Sequence, residues 1–112
     1  SNMAKREMLG VKTETLARHG AVSEPTARAM AEGALAHSHA DLTVAITGIA
    51  GPAGGTREKP VGTVCIAWAA RKQPTQSRTQ RFSGDREAVR RQAIKTALEG
   101  LSALLSGLPQ KG

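Results

Sequence analysis

The sequence predicts an α/β protein, a layered sandwich in which helices cover a small mixed or antiparallel sheet. Three observations lead there. "DLTVAIT" (41–47) is a run of β-branched and aliphatic residues, the composition that strands favour. "VGTVCIAWAA" (61–70) is almost continuously apolar, the pattern of a central strand covered on both faces. Two longer segments, after residues 23 and 85, carry apolar residues at helical spacing, so each can lay one face on the sheet.

Taken in order, "AKREMLG" (4–10) reads as the end of a helix stopped by Gly10. "TETLARHG" (13–20) is a short helix with Thr13 as its expected N-cap and Gly20 as its stop. Ser23 caps the next helix, Glu24 suits the positive end of its dipole, and Pro25 stands where its missing N–H is not needed. Ala27, Met30, Ala31, Ala34 and Leu35 then form one apolar stripe, ending near His37. The strand 41–47 follows, then a Gly/Pro loop over 48–60 and the central strand from Val61. "QSRTQRF" (76–82) alternates less cleanly and reads as an edge strand. Asp85 caps the last helix. Its stripe of Val89, Ala93, Ala97, Leu101 and Leu104 is widened by Ile94, Leu98 and Leu105 and weakened locally by Gly100, and its tail from Ser106 is expected to fray.

The 112 residues fit one domain, 1–112, with a core of Ala, Val, Leu and Ile and few aromatics. The sequence opens inside a helix with no strand before it, and three strands are few for two covering helices. An N-terminal part of the natural protein is therefore expected to be absent from this chain. Cys65, the one cysteine, excludes an intramolecular disulfide and reads as a small buried hydrophobe. No apolar stretch approaches the roughly 20 residues of a membrane span, and no signal peptide is evident. A cytoplasmic setting and no membrane contact follow as expectations. The alanine-rich stripes and small sheet leave apolar surface exposed, so a homo-oligomer is expected.

The net charge is +7, and residues 71–95 hold eight Lys or Arg against Asp85 and Glu87. Such a field attracts anions. Nucleic acid is the weaker reading, since two aromatics give few stacking platforms and no recognition motif is present. A phosphorylated small molecule fits better. "TGIAGPAGG" (47–55) ends a strand in backbone that can approach a ligand closely. It lacks the Gly-Lys-Ser/Thr ending and the following helix of a P-loop or dinucleotide fingerprint. What it offers is Thr47 Oγ1 and the N–H groups of Gly48 to Gly51, Ala50 among them, an anion nest in form. "FSGDREAVRRQ" (82–92) opens a helix N-terminus with Arg86 and Arg90 on one face, guanidinium groups suited to phosphate. His37 and His39, two apart with no third ligand evident, do not make a metal site, and none is expected.

"VSEPTARAMAEGAL", "ADLTVAITGIAGPAGGTREKPVGTVCIAW" and "FSGDREAVRRQA", in that order and spacing, resemble the C-terminal domain of the CinA family, the nicotinamide-nucleotide amidases. The resemblance runs from Ser1 to about Leu105. It implies hydrolysis of the carboxamide of nicotinamide mononucleotide to nicotinic acid mononucleotide and ammonia, by a serine-type mechanism with no metal and no cofactor. It implies that Lys5, matching the lysine of a Tyr-Ser-Asn-x-x-Lys segment, is catalytic. A lysine with a lowered pKa can serve as base to a serine attacking so poor an electrophile as an amide. Thr47, Gly48, Ala50, Gly51, Arg86 and Arg90 are then the expected substrate contacts. The family's serine lies in a Glu-Ser-Cys-Thr-Gly-Gly stretch that is missing here, and there is no tyrosine. This chain alone is thus expected to be inactive. The alternative is a non-enzymatic nucleotide-binding or partner-interaction module.

Overall fold

The computed structural model describes residues 11–107. The helix end expected at 4–10 lies outside them, as does Lys5. The described elements are α1 (Thr13–His19), α2 (Glu24–Ala36), β1 (Leu42–Gly48), β2 (Thr63–Ala70), β3 (Gln76–Arg81) and α3 (Arg86–Gly107). The three strands form one sheet in the order β1-β2-β3, antiparallel throughout. Of the two sheet types the sequence allowed, the antiparallel one is realised, because each connection returns the chain beside the strand it has just left.

β2 is buried along its whole length, as its unbroken apolar run predicts. Strand alternation sends its side chains to two separate clusters. Cys65, Ala67 and Ala69, with Ala45 of β1, face α2 and meet Ala27, Met30, Ala31 and Val11. Val64, Ile66 and Trp68 face α3 and meet Val89, Ala93 and Ala97. The cross-strand pairs follow suit: Val44 with Trp68, Ile46 with Ile66 and Gly48 with Val64 on the α3 face, Ala45 with Ala67 and Thr47 with Cys65 on the α2 face. The α2 face is built from alanines, so helix and sheet approach closely. Cys65 is buried as expected, its Sγ 3.5 Å from Thr79 Oγ1.

Local chemistry explains the boundaries. Ser23 caps α2 by accepting from the Thr26 N–H at 3.2 Å. Asp85 caps α3, accepting from the Ala88 N–H at 2.9 Å. Thr13 is the first helical residue of α1 and the cap position falls to Lys12, whose side chain makes no capping hydrogen bond. β2 begins two residues later than its apolar run. The Pro60 carbonyl accepts from the Thr63 N–H, and Gly62 takes φ +97, so Val61 and Gly62 belong to a turn. His37 closes α2, its Nδ1 2.7 Å from the Gly33 carbonyl.

A second set of bonds ties α2 to the edge strand. The Glu24 carboxylate accepts from Thr79 Oγ1 at 2.6 Å and from Ser77 Oγ at 2.7 Å, and Arg28 Nε donates to that same Ser77 oxygen. The Thr79 and Ser77 hydroxyls, with the Arg28 charge, hold the Glu24 carboxyl below the usual carboxylate range against the opposing effect of burial.

Gly100 does not break α3, which runs through it to Gly107. A side chain at Gly100 would run into the indole of Trp68, whose Nε1 donates to the Ala97 carbonyl at 3.0 Å. The glycine is a socket for the ring. Helix propensity alone makes Gly100→Ala stabilising by about 1 kcal/mol. The clash reverses the sign, and we expect a loss of roughly 1–3 kcal/mol in urea denaturation. Glu24 yields a pH prediction. A carboxyl whose folded pKa is depressed stabilises fully above its unfolded pKa, and loses that contribution as pH falls through the folded one. Stability should therefore decline with acid through and below the ordinary carboxylate range, and Glu24→Gln should flatten that decline in a urea series against pH.

Candidate functional site

The glycine loop after β1 is held in place at several points. The Ile49 N–H donates to the Thr63 carbonyl and the Gly62 N–H to the Ile49 carbonyl, which carries the ladder one step past the strands. Thr56 and Lys59 close a small turn through the Thr56 N–H to the Lys59 carbonyl and the Lys59 N–H to Thr56 Oγ1. Lys59 Nζ donates to the carbonyl of His19 at the end of α1. On the opposite side Arg86 Nη1 reaches the Gly51 carbonyl at 3.5 Å. The loop thus spans the sheet end from α1 to α3.

Gly51 is buried at φ +88, and a Cβ there would meet Val61 Cγ1 at 2.6 Å. Both facts require glycine. At Gly48 a Cβ would crowd Val64 Cγ2 at 2.9 Å. Its absence leaves room beneath α3. A cavity of about 200 Å³ opens there, lined by Ile46, Gly48, Ala50, Val64, Val89 and Arg90, with Ala93 and Ile94 completing it. Beside it lies a shallower recess of about 500 Å³ lined by Arg86, Glu87, Arg90, Arg91 and Ile94. Arg90 and Ile94 belong to both, so an apolar slot opens directly onto a cluster of guanidinium groups.

The structure brings together most of the residues singled out from sequence. Gly48, Ala50 and Arg90 line the cavity, while Arg86 lines the recess and bonds to Gly51. Thr47 is elsewhere. Its side chain lies on the α2 face, and Oγ1 donates to the Ala21 carbonyl at 2.8 Å. Adjacent strand residues point to opposite faces, so Thr47 and Gly48 cannot share a wall. At the α3 N-terminus Asp85 takes up the Ala88 N–H through Oδ1 and the Val89 N–H through its carbonyl, and Arg86 and Arg90 add side-chain positive charge beside it. The apolar lining from Ile46, Val64, Val89 and Ile94 was not anticipated. Its signal was present in Ile94, which widens the α3 stripe beyond what one sheet face can cover.

Three more basic residues of the 71–95 stretch make contacts of their own. Arg71 donates to the Leu35 and Ser38 carbonyls at the end of α2, Arg78 stands 5.6 Å over the Trp68 ring, and Arg91 pairs with Glu87 at 3.1 Å. Among the described residues no helix is long and apolar enough to cross a membrane.

The model of the CinA C-terminal domain matches residues 1–105. The chain belongs to that family. Curated relatives of this CinA domain include the nicotinamide-nucleotide amidohydrolase PncC of Escherichia coli K12, 57% identical over 101 residues, 90% of this chain and 61% of the relative. A CinA-like protein of Mycobacterium tuberculosis is 50% identical over 109 residues, 97% of this chain and 25% of its own length. Among solved structures, the competence/damage inducible protein CihA of Agrobacterium tumefaciens superposes with a TM-score of 0.90 at 51% identity, over 93% of this chain and 64% of that one. The CinA domain here therefore spans about three-fifths of the amidohydrolase relative it matches.

Gly51→Ala tests the loop geometry. Strain at positive φ together with the Val61 clash should cost about 1–3 kcal/mol. Hydrogen exchange should show the loss first in the amides of Ile49 and Gly62, with β3 unaffected.

Proposed function

We propose that the paired cavity and recess bind a phosphorylated pyridine nucleotide, and that in the longer family domain this site serves deamidation of nicotinamide mononucleotide to nicotinic acid mononucleotide and ammonia. The observation that carries this reading is the junction at Arg90, where an apolar slot meets an arginine cluster. A planar ring suits the walls of Ile46, Val64 and Val89, and a phosphate suits the guanidinium groups of Arg86 and Arg90. Gly48, Ala50 and Gly51 keep the backbone within reach of the nucleotide. Thr47 serves by anchoring the strand end through Ala21. The printed name of the Escherichia coli relative, a nicotinamide-nucleotide amidohydrolase, supports the substrate class. Lys5 is assigned the role of general base, acting on the serine of the family's Glu-Ser-Cys-Thr-Gly-Gly stretch. A cytoplasmic setting goes with this reading.

The 112 residues contain neither that serine motif nor any tyrosine. That observation favours a second reading for this stretch by itself: it binds the nucleotide without turning it over.

Two measurements separate the readings. Calorimetry of nicotinamide mononucleotide with this chain should show binding that weakens at least about tenfold, or 1.4 kcal/mol, in Arg90→Ala and in Arg86→Ala. Added salt should shrink that difference, because the recess is open to solvent. Ammonia release should be absent from this chain. It should appear when the serine-bearing segment of the Escherichia coli relative is joined ahead of it, and vanish again in Lys5→Ala. Binding indifferent to both arginine substitutions would reject the site. Turnover that survives Lys5→Ala would reject the assigned base.

A further inference from the structure

We propose that Lys59 is a positioning residue of this site, holding the glycine loop at the setting in which Gly48 and Ala50 complete the cavity. The proposal rests on the nucleotide reading given above and adds to it a residue that lines neither the cavity nor the recess.

The turn between α1 and α2 is the fixed point. Three successive carbonyls there, those of His19, Gly20 and Ala21, each accept a hydrogen bond from a side chain. The Gly20 carbonyl is bonded from α2, by Ser23 Oγ at 3.0 Å and by Oγ1 of the fully buried Thr26. The other two are bonded from the two ends of the loop. Thr47, just before it, donates to Ala21 at 2.8 Å, and Lys59 Nζ donates to His19 at 3.1 Å. α2 therefore fixes the turn, and the turn fixes the loop.

A lysine suits this task. The last carbonyls of a helix have no partner within it and carry the negative end of its dipole. His19 is the final residue of α1, and an ammonium on a long stem reaches its carbonyl from a neighbouring element.

The loop carries that anchorage across to the ligand side. The Thr56–Lys59 turn leads into Pro60, whose carbonyl accepts from both the N–H and Oγ1 of Thr63, and then into Val61. The loop folds back on Val61: a Cβ at Gly51 would meet its Cγ1, and a Cβ at Gly55 its backbone nitrogen, each at 2.6 Å. Segments packed so closely shift together. Gly51 follows Ala50 of the cavity wall and gives its carbonyl to Arg86 of the recess. An unbroken line of contacts thus runs from α1 through Lys59, Val61 and Gly51 to Arg86. With the Lys59 bond removed, the outer part of the loop is tied to the helices only through Arg86, among the described residues, and the cavity wall loses its setting.

The test uses Lys59→Met, which keeps a long stem and removes the donor, and Lys59→Arg, which restores a donor. In Lys59→Met the amides of Thr56 and Gly62 should exchange at least about tenfold faster. Amides of β3 and of the second half of α3 should keep their protection, which shows the variant to be folded. Calorimetry should show nicotinamide mononucleotide bound at least about fivefold more weakly. Both losses should be recovered in Lys59→Arg. Arg57→Ala removes a positive charge from the same loop and should change neither readout, which separates positioning from general attraction of an anion. An unsubstituted chain that does not bind the mononucleotide rejects the site assigned above, and exchange alone then decides whether Lys59 sets the loop. Exchange unchanged in Lys59→Met overturns the proposal. So does binding by the unsubstituted chain that Lys59→Met leaves intact, that Arg57→Ala weakens equally, or that Lys59→Arg fails to recover.

Discussion

The Trp68 indole, lodged in the gap left by Gly100 and bonded to the Ala97 carbonyl, sets where α3 lies on the sheet. A large ring with a single donor has few ways to be buried with that donor satisfied, so the contact fixes both the depth and the register of the helix. The rest of the α3 face follows from it. Val89 and Ala93 settle over Val64 and Ile66, and the first turn of α3 arrives above the end of β1. Arg86 is thereby delivered to the Gly51 carbonyl and Arg90 to the rim of the cavity.

The two faces of the sheet are held by different means. The α2 face is close-packed from alanines and reinforced by polar contacts: Glu24 accepting from Ser77 and Thr79 of the edge strand, Thr43 donating to the Ala31 carbonyl, and Thr47 donating to the Ala21 carbonyl. The α3 face depends on one aromatic ring and a few aliphatic side chains, and it leaves space near the end of β1. That difference explains why a cavity opens under the start of α3. Small residues on the α2 side let helix and sheet approach closely, whereas Gly48 opposite Val64 on the α3 side removes a side chain beside Val89 and Arg90.

The glycine loop combines both. Its ends continue the β1–β2 ladder, Lys59 ties it to the end of α1, and Arg86 ties it to the start of α3. Its glycines serve fit as much as freedom. Gly51 and Gly48 are required because Val61 and Val64 already occupy the space a side chain would need.

Much of this was legible from the residues alone. The unbroken apolar run of β2 required cover on both faces, because a strand with no polar side has none to offer water. Ser23 and Asp85 marked their helix starts through their own side-chain chemistry. The glycine loop and the paired arginines pointed to the end of the sheet where the cavity and the recess lie. Tertiary structure decided what local pattern could not carry. Thr47 and Gly48 are neighbours in sequence and strangers in space, since strand alternation turns them to opposite faces. Gly100 looked like a weak point in a helix and is the socket for a ring 32 positions earlier. Periodicity reports which face of an element is apolar; it cannot report what that face meets, and the cavity is a consequence of that meeting.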